Sequence, residues 1–319
     1  MTTIKHLLAA TALLLATAAL AQIDKPVKIL VGFPPGGSAD ISARLLAERM
    51  SADLKQNVFV ENKPGAGGRI VAELLKNTPA DGGTLMLTPV VVPVLAPLVF
   101  TKLNYDPVAD FAPVASVANF QFGVVVNANH PAKTLPELVT WYRANEKLAN
   151  FGCPAPGSLP HFFGAMLSRS AGVDLVHVPF SGGAPMITAL VGNQISAGID
   201  VIAELVELHR NGKLRVLATS GATRSPLLPD VPTATEAGLR GVEGSGWFAV
   251  YAPAKTPEAT LRALNAAINK ALADPGLRER FTKLGLEPTG GSAADLVATM
   301  QRDRERWAPV VKASGFRGD

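Results

Sequence analysis

The sequence is poor in the residues that most often hold metals. It has one cysteine, Cys153, and five histidines scattered along 319 residues. A single cysteine excludes an intramolecular disulfide and any cysteine-rich metal site. No two histidines follow a His-x-x-x-His spacing, and none stands among acidic residues at the spacing of metal ligands. We therefore expect no metal and no other cofactor.

Motifs for common catalytic and nucleotide chemistry are also missing. There is no Gly-x-Ser-x-Gly nucleophile motif and no Walker sequence. The Gly65–Ile70 loop lacks the last glycine of the dinucleotide fingerprint and precedes the second predicted helix, not the first. The 30 basic and 26 acidic residues are interspersed, without the aromatic and basic patches of nucleic-acid binders. This excludes a nucleic-acid partner and leaves at most a slight attraction for anionic ligands.

The N-terminus carries the longest apolar run. Lys5 and His6 precede the Ala/Leu-rich stretch Leu7–Leu20, which is shorter than the about 20 apolar residues that span a bilayer. It ends in Ala19–Ala21, the small-x-small pattern that signal peptidase cleaves. We interpret residues 1–21 as a secretory signal, with an N-terminal core helix as the alternative.

The mature chain, beginning near Gln22, has no comparable run. The most apolar later segment, Leu85–Phe100, is interrupted by Pro89, Pro93 and Pro97. Proline removes a backbone donor and breaks a helix interior. We therefore expect a soluble periplasmic protein that is not inserted in the membrane.

Short apolar runs alternate with amphipathic segments along the whole mature chain. This alternation predicts an α/β fold in which mostly parallel sheets are flanked by helices. Strands are predicted at Val27–Phe33, Val58–Val60, Thr84–Thr88, Phe122–Val126, Ala149–Cys153, Leu175–Pro179, Ile195–Val201, Leu214–Ser220 and Trp247–Ala252.

The number of elements exceeds one sheet, and the length suits two domains of roughly 150 residues. We place chain crossings near 119–122 and 246–251. Domain 1 is then expected at residues 22–121 plus 250–319, and domain 2 at residues 122–249. The C-terminal helices return to domain 1 in this scheme.

Three loops rich in Gly, Ser and Pro each join a predicted strand to a predicted helix: Phe33–Asp40, Cys153–His161 and Pro179–Ala184. A helix start presents unsatisfied N–H groups, which bind anions together with the helix dipole. Ser38 and Ser158 are expected as N-caps. Ligands of α/β sheets collect at the carboxyl ends of strands. An ordinary capped turn is the alternative for the first loop, Phe33–Asp40.

The candidate ligand-binding residues come from these loops and from two predicted strand ends. Asp200 is expected to accept a hydrogen bond from a ligand amine or hydroxyl, or else to cap the next helix. His161 is expected to face a carboxylate, or else to pack within its helix. The full set is Phe33, Pro34, Gly36, Gly37, Ser38, Ala39, Asp40, Thr88, Cys153, Pro154, Ala155, Gly157, Ser158, His161, Phe180, Ser181, Gly183 and Asp200.

The three loops carry no set of acidic and basic side chains arranged for catalysis, which favours ligand binding without a reaction. We therefore expect a receptor and no enzyme. A serine hydrolase using Ser158 and His161, which share a helix face at i, i+3 spacing, is a weaker hypothesis because no orienting carboxylate is evident. A ligand-sensing partner of a signalling protein is a third hypothesis.

Several stretches resemble one family, the periplasmic solute receptors of tripartite tricarboxylate transporters, also called the Bug family (TctC-like). The resemblance implies a two-domain type II "Venus flytrap" that holds a small organic acid between its domains. It also implies integral-membrane permease subunits as partners, and a grip on the ligand by backbone N–H groups and waters of the first two loops. The matching stretches are Val31–Asp40, Val60–Gly68, Ala80–Leu85, His177–Phe180, Leu228–Thr233 and Glu236–Gly238.

Three positions depart from the pattern of this family. Cys153 replaces a common serine, Phe180 lacks the usual aromatic hydroxyl, and Ser181 stands where a basic residue is frequent. These changes remove polar partners from the second domain. Within the mono- and dicarboxylates that the resemblance implies as ligands, we therefore expect a less polar one, a monocarboxylate or an aromatic acid.

Overall fold

The structure is a computed structural model that describes residues 23–318. The predicted signal at residues 1–21 lies outside the described residues. Between residues 23 and 318, no helix is both long and apolar enough to cross a bilayer. In chain order the elements are β1 (Val27–Val31), α1 (Ser38–Leu54), β2 (Val58–Asn62), α2 (Arg69–Lys76), β3 (Thr84–Pro89), a π-turn (Val91–Leu95), α3 (Ala96–Val99), β4 (Phe111–Phe120), β5 (Phe122–Asn127), α4 (Leu135–Ala144), β6 (Asn150–Cys153), α5 (Leu159–Ala171), β7 (Val176–Pro179), α6 (Gly183–Val191), β8 (Gly198–Val201), α7 (Ile202–Arg210), β9 (Leu214–Thr219), β10 (Gly246–Pro253), α8 (Glu258–Ala273), α9 (Pro275–Lys283), β11 (Leu286–Pro288) and α10 (Ala293–Ser314).

The first sheet has six strands in the order β11-β4-β10-β3-β1-β2. Strands β1, β2 and β3 are parallel, whereas β10 runs antiparallel to both β3 and β4, and β11 runs antiparallel to β4. Four of the five residues of β1 are buried, as expected for a strand covered on both faces. The loops after β1, β2 and β3 therefore meet at one edge of the sheet.

The second sheet has five strands in the order β7-β6-β8-β5-β9. Strands β6, β7 and β8 are parallel, and β5 runs antiparallel to β8 and β9. The carboxyl ends of the three parallel strands again share one edge. This edge carries the loops that begin α5, α6 and α7.

The chain crosses between the sheets at Gln121 and returns between β9 and β10. The rings of Phe120 and Phe122 flank the first crossing and meet edge to face, with centroids 5.6 Å apart. The C-terminal helix α10 packs against β4 of the first sheet and against α5 of the second domain. It therefore contacts both halves of the protein.

The predicted two-domain α/β fold is confirmed, with sheets that are mixed. Parallel pairing holds for three strands of each sheet and gives way to antiparallel pairing elsewhere. No strand is predicted from the sequence at the residues that form β4 and β11. Pro113 and two register shifts against β10 interrupt the alternation in β4, and β11 has only three residues. The exact limits of the two domains stay a prediction.

The N-cap prediction for Ser38 is wrong. Gly37 is the N-cap residue, with φ −77° and ψ 166°, and Ser38 is the first residue of α1. Ser158 is the N-cap residue of α5. Its hydroxyl donates to the carbonyl oxygen of Ala155 at 2.6 Å and makes no capping bond.

Close packing between α5 and β6 holds the second domain's loop in place. A Cβ atom built on Gly164 of α5 would lie 2.2 Å from the ring of Phe151 in β6. That distance is far inside van der Waals contact, so only glycine lets the helix approach the strand this closely. Both residues are buried.

We predict that Gly164→Ala lowers the free energy of unfolding by about 1–3 kcal/mol, because the methyl group overpacks a dense core. Gly276→Ala is the matched control. Gly276 is also helical, in α9, is itself exposed, and its nearest neighbour is Oδ1 of the half-buried N-cap residue Asp274 at 3.3 Å. The control should be neutral or slightly stabilising, because alanine is the better helix former. Denaturant titration of both variants measures the difference, and equal effects would contradict this packing account.

Candidate ligand-binding cleft

A cleft of about 1010 Å³ lies between the carboxyl-end loops of the two sheets. This volume suits a small-molecule site. Domain 1 contributes the loops after β1, β2 and β3, and domain 2 contributes those after β6, β7 and β8. Apolar side chains from the crossing and from the C-terminal part complete the walls: Phe120, Phe122, Phe248, Leu284 and Leu286.

Thirteen of the eighteen candidate residues line this cleft: Phe33, Pro34, Gly36, Gly37, Ser38, Ala39, Pro154, Ala155, Ser158, Phe180, Ser181, Gly183 and Asp200. The other five lie behind its walls: Asp40, Thr88, Cys153, Gly157 and His161. The structure thus brings the three predicted loops together. It does not place the five others in the lining of the cleft, where they were expected to face the ligand.

Asp40 supports the first loop from behind. Its side chain is 2% exposed, and its Oδ2 accepts from the backbone N–H of Gly36 at 2.9 Å and from Arg44 Nε at 3.0 Å. Its Oδ1 accepts from Asn62 Nδ2 at 2.9 Å. Burial alone would raise the pKa of Asp40, but the hydrogen bonds from Arg44, Gly36 and Asn62 outweigh it and lower the pKa.

The start of α1 presents donors to the cleft. The first helical hydrogen bond runs from Ile41 N–H to Gly37 O at 2.9 Å. Within residues 23–318, the N–H groups of Ser38 and Ala39 have no acceptor, and both residues line the cleft. Unsatisfied donors at a helix start attract an anion.

Glycines bring the loops after β1 and β2 into contact. A Cβ atom on Gly32 would lie 2.6 Å from the Cα of Gly68. Gly65 and Gly67 beside it have φ of 145° and 63°, the left-handed region that favours glycine. The Pro64–Gly67 loop consequently forms part of the domain 1 wall.

The second loop is shaped by an internal hydrogen bond. The Gly157 N–H donates to Nδ1 of His161 at 3.0 Å, and Gly157 has φ of 71°. His161 is 7% exposed, so it braces the loop and does not face the cleft. In this loop the N–H of Leu159, a cleft residue, has no acceptor among the described residues.

The hydrolase hypothesis lacks its geometry. The Ser158 hydroxyl is committed to Ala155 O, and His161 Nδ1 accepts from Gly157. Burial, with a smaller contribution from His177, lowers the pKa of His161 to about 4. The imidazole is therefore neutral and buried, and no serine–histidine hydrogen bond exists between these two residues.

Cys153 belongs to a buried cluster behind the same loop. Its Sγ lies 3.0 Å from His177 Nε2 and 3.3 Å from Ala155 O. The rings of His161 and His177 stack with centroids 4.0 Å apart. Burial raises the pKa of Cys153 to about 12, so the group remains a thiol and serves packing. Cys153 contributes no side-chain contact to the cleft.

Thr88 lies at the end of β3 and is 2% exposed. The residues after it, Pro89, Val90 and Val91, reach the cleft, while the rest of the apolar segment up to Val99 is mostly buried. Only the first residues of this apolar segment therefore line the cleft.

Sequence reasoning missed one charged cleft residue, Glu204. It lies in the first turn of α7 and lines the cleft together with Asp200 and Gly183. Its position directly after the predicted strand ending at Val201 was the available signal, since strand ends carry ligand residues. Phe248 was also missed, because β10 runs antiparallel to β3 and the strand-end rule does not locate it.

Two α/β domains around a ligand cleft define a substrate-binding protein, and solved structures agree. Rpa4515 of R. palustris, solved with adipate, has a TM-score of 0.87 and 31% identity, covering 92% of this chain and 99% of that chain. MatC of Rhodopseudomonas palustris with bound malate has a TM-score of 0.82 and 33% identity, covering 91% and 99%.

The particular family follows from the sequence. A model of the tripartite tricarboxylate transporter family receptor matches residues 42–316. BugT of Bordetella pertussis (strain Tohama I) is 32% identical over 320 residues, covering 98% of each chain. The chain belongs to this receptor family, whose members are periplasmic binding proteins. The resemblance noted in the sequence is thereby confirmed.

We predict that Asp40→Ala lowers the free energy of unfolding at neutral pH by roughly 1–3 kcal/mol, because it removes a buried carboxylate that accepts hydrogen bonds from Gly36, Arg44 and Asn62. The pKa of Asp40 is lower in the folded state than in the unfolded state. The Asp40 carboxylate therefore adds to the free energy of unfolding above the unfolded pKa of about 4, and this stabilisation is lost as pH falls through the folded pKa. The difference in the free energy of unfolding between wild type and Asp40→Ala should therefore become smaller in acid.

Glu48→Ala on the same helix is the control. Glu48 forms an exposed ion pair with Arg280 at 3.0 Å, a kind of contact that contributes about 0–1 kcal/mol. Urea titrations across pH measure both variants. A gap between wild type and Asp40→Ala that widens in acid would contradict the assignment.

Proposed function

We propose that this protein is a periplasmic receptor that captures a small organic carboxylate between its two domains for a tripartite transporter. The ligand is held by backbone donors of the loops that begin α1 and α5. Integral-membrane permease subunits then recognise the loaded receptor. A sensing role would use the same closure, and the transporter family of the chain favours transport.

The observation that carries this proposal is a set of N–H groups on both sides of one cleft that have no acceptor among residues 23–318. Ser38 and Ala39 supply them from domain 1, and Leu159 supplies one from domain 2. An ionised carboxylate is an acceptor with two oxygens, and each helix start adds positive dipole potential. A carboxylate can thus satisfy donors of both domains at once.

Apolar residues line the same cleft. They include Phe120, Phe122, Phe248, Val91 and Leu286. When the walls approach each other they exclude water, which strengthens hydrogen bonds to a charged ligand. Hinge closure of this kind is a common response to ligand in two-domain receptors. The ligand favours the closed state because it contacts both walls only there.

The ligand class is supported by the structural relatives, since adipate and malate are both small carboxylates. Ligand-dependent thermal unfolding of the purified protein tests the proposal with mono-, di- and tricarboxylates, aromatic acids and amino acids. A ligand of the native state adds about 2.7 kcal/mol of stability at a hundredfold excess over its dissociation constant. We expect such a shift with one class of acids. No shift with any acid would contradict the carboxylate proposal.

We predict that Ser38→Pro weakens binding of the responding acid about tenfold or more, since a hydrogen bond to a charged group contributes about 1.5–3 kcal/mol. Proline removes the Ser38 N–H, yet it suits the first position of a helix. The preceding Gly37 already has the extended conformation that proline requires, so the fold should persist.

Ser38→Ala separates the hydroxyl from the backbone donor. It retains the N–H and should change the affinity by no more than a few fold. Titration calorimetry compares the two variants with wild type. Equal affinities of wild type and Ser38→Pro would contradict the backbone clamp.

A further inference from the structure

A buried acceptor without a donor lies in the domain 2 wall of the cleft. Asp200 ends β8, is 1% exposed and lines the cleft. Its Oδ1 accepts from the Val201 N–H at 2.8 Å. Its Oδ2 has no hydrogen-bond partner in the described part of the chain. A buried acceptor left unsatisfied is costly, so the atom requires an explanation.

A second carboxyl group stands next to it. Glu204 Oε2 and Asp200 Oδ2 lie 2.2 Å and 2.5 Å from the position that a Cβ atom on Gly183 would take, so the two oxygens are at most 4.7 Å apart. Gly183 begins α6, and its missing side chain makes the space that both carboxyl groups occupy. Glu204 is exposed to the solvent of the open cleft, so its longer side chain can turn aside for a ligand.

The pair has no cation of its own. Among residues 23–318, no Lys, Arg or His forms an ion pair with Asp200 or Glu204. Burial, and then the neighbouring Glu204, raises the pKa of Asp200. Cys153, the other titratable group that acts on Asp200 electrostatically, remains a neutral thiol and gives no relief.

We propose that Asp200 and Glu204 form a subsite for the ammonium group of the ligand, so that the receptor selects carboxylates that also carry an amine. The inference rests on the proposed function, because the helix start at Ser38 binds the carboxylate end of the same ligand. The bound molecule is then a zwitterion, an amino acid or a close analogue.

Charge explains why an ammonium fits this subsite better than other groups. A second ligand carboxylate at the pair would meet two acidic groups and would be repelled. A hydroxyl donates one hydrogen bond and brings no charge. An ammonium group has three donors and a positive charge, so it can satisfy Asp200 Oδ2 and Glu204 together.

The test compares acids that share one carbon skeleton: 4-aminobutyrate, 4-hydroxybutyrate, butyrate and succinate, and likewise glutamate, 2-hydroxyglutarate and glutarate. Titration calorimetry measures each acid with wild type, Asp200→Asn and Glu204→Gln. We expect an amino acid to bind wild type at least about tenfold more tightly than its hydroxy and unsubstituted counterparts. Both variants should lose most of this preference while retaining affinity for the unsubstituted acids.

Glu207→Gln is the matched control. Glu207 lies on the same helix, is exposed and pairs with Arg210 at 3.0 Å, and the control should keep the full preference. Thermal melts without ligand check folding. Asp200→Asn should be no less stable than wild type at neutral pH, because it removes a carboxyl whose ionisation burial opposes, and Glu204→Gln should be close to wild type because Glu204 is exposed.

Two results would overturn the inference while leaving the proposed function intact. One is equal or tighter binding of the unsubstituted or hydroxy acids by wild type. The other is a preference for the amino acid that survives in both Asp200→Asn and Glu204→Gln. Failure of every acid to bind would overturn the proposed carboxylate function, and this inference with it.

Discussion

The buried carboxylate of Asp40 is the contact on which the domain 1 wall of the cleft depends. It joins the loop after β1, the helix α1 and the end of β2 through Gly36, Arg44 and Asn62. These bonds fix the direction in which α1 begins. The donors that we propose to bind the carboxylate are backbone N–H groups. Their positions are therefore determined by the fold and not by side-chain rotamers. A rigid loop presents them without an ordering cost when ligand arrives.

The two walls differ in chemistry. Domain 1 offers backbone donors and apolar surface, whereas domain 2 adds two carboxyl groups, Asp200 and Glu204, to its backbone donors. The stacked imidazoles of His161 and His177 and the thiol of Cys153 lie behind the domain 2 loop and stay uncharged. The acidic groups of this wall are therefore Asp200 and Glu204. The polarity of the cleft sets an orientation for any ligand with a negative and a positive end.

Much of this arrangement was predictable from local sequence. Glycine and proline after an apolar run mark strand ends, so the loops at Phe33, Cys153 and Pro179 could be located and expected to converge. The side chains of Asp40 and His161 could not be assigned correctly, because sequence does not show whether a polar side chain turns toward ligand or toward its own backbone. Glu204 and Phe248 could not be placed in the cleft without the tertiary structure. The position of the Glu204 side chain depends on the space beside Gly183, and that of Phe248 depends on the antiparallel pairing of β10.

The resemblance to a receptor family predicted the fold, which is confirmed. The small carboxylate ligand and its binding by backbone N–H groups stay predictions. The most direct test of that mechanism is a crystal structure of the protein with the acid that stabilises it. The account predicts a ligand carboxylate oxygen about 2.7–2.9 Å from the N–H nitrogen of Ser38 or Ala39, with both domains closed on it. A carboxylate bound away from the start of α1 would contradict the account.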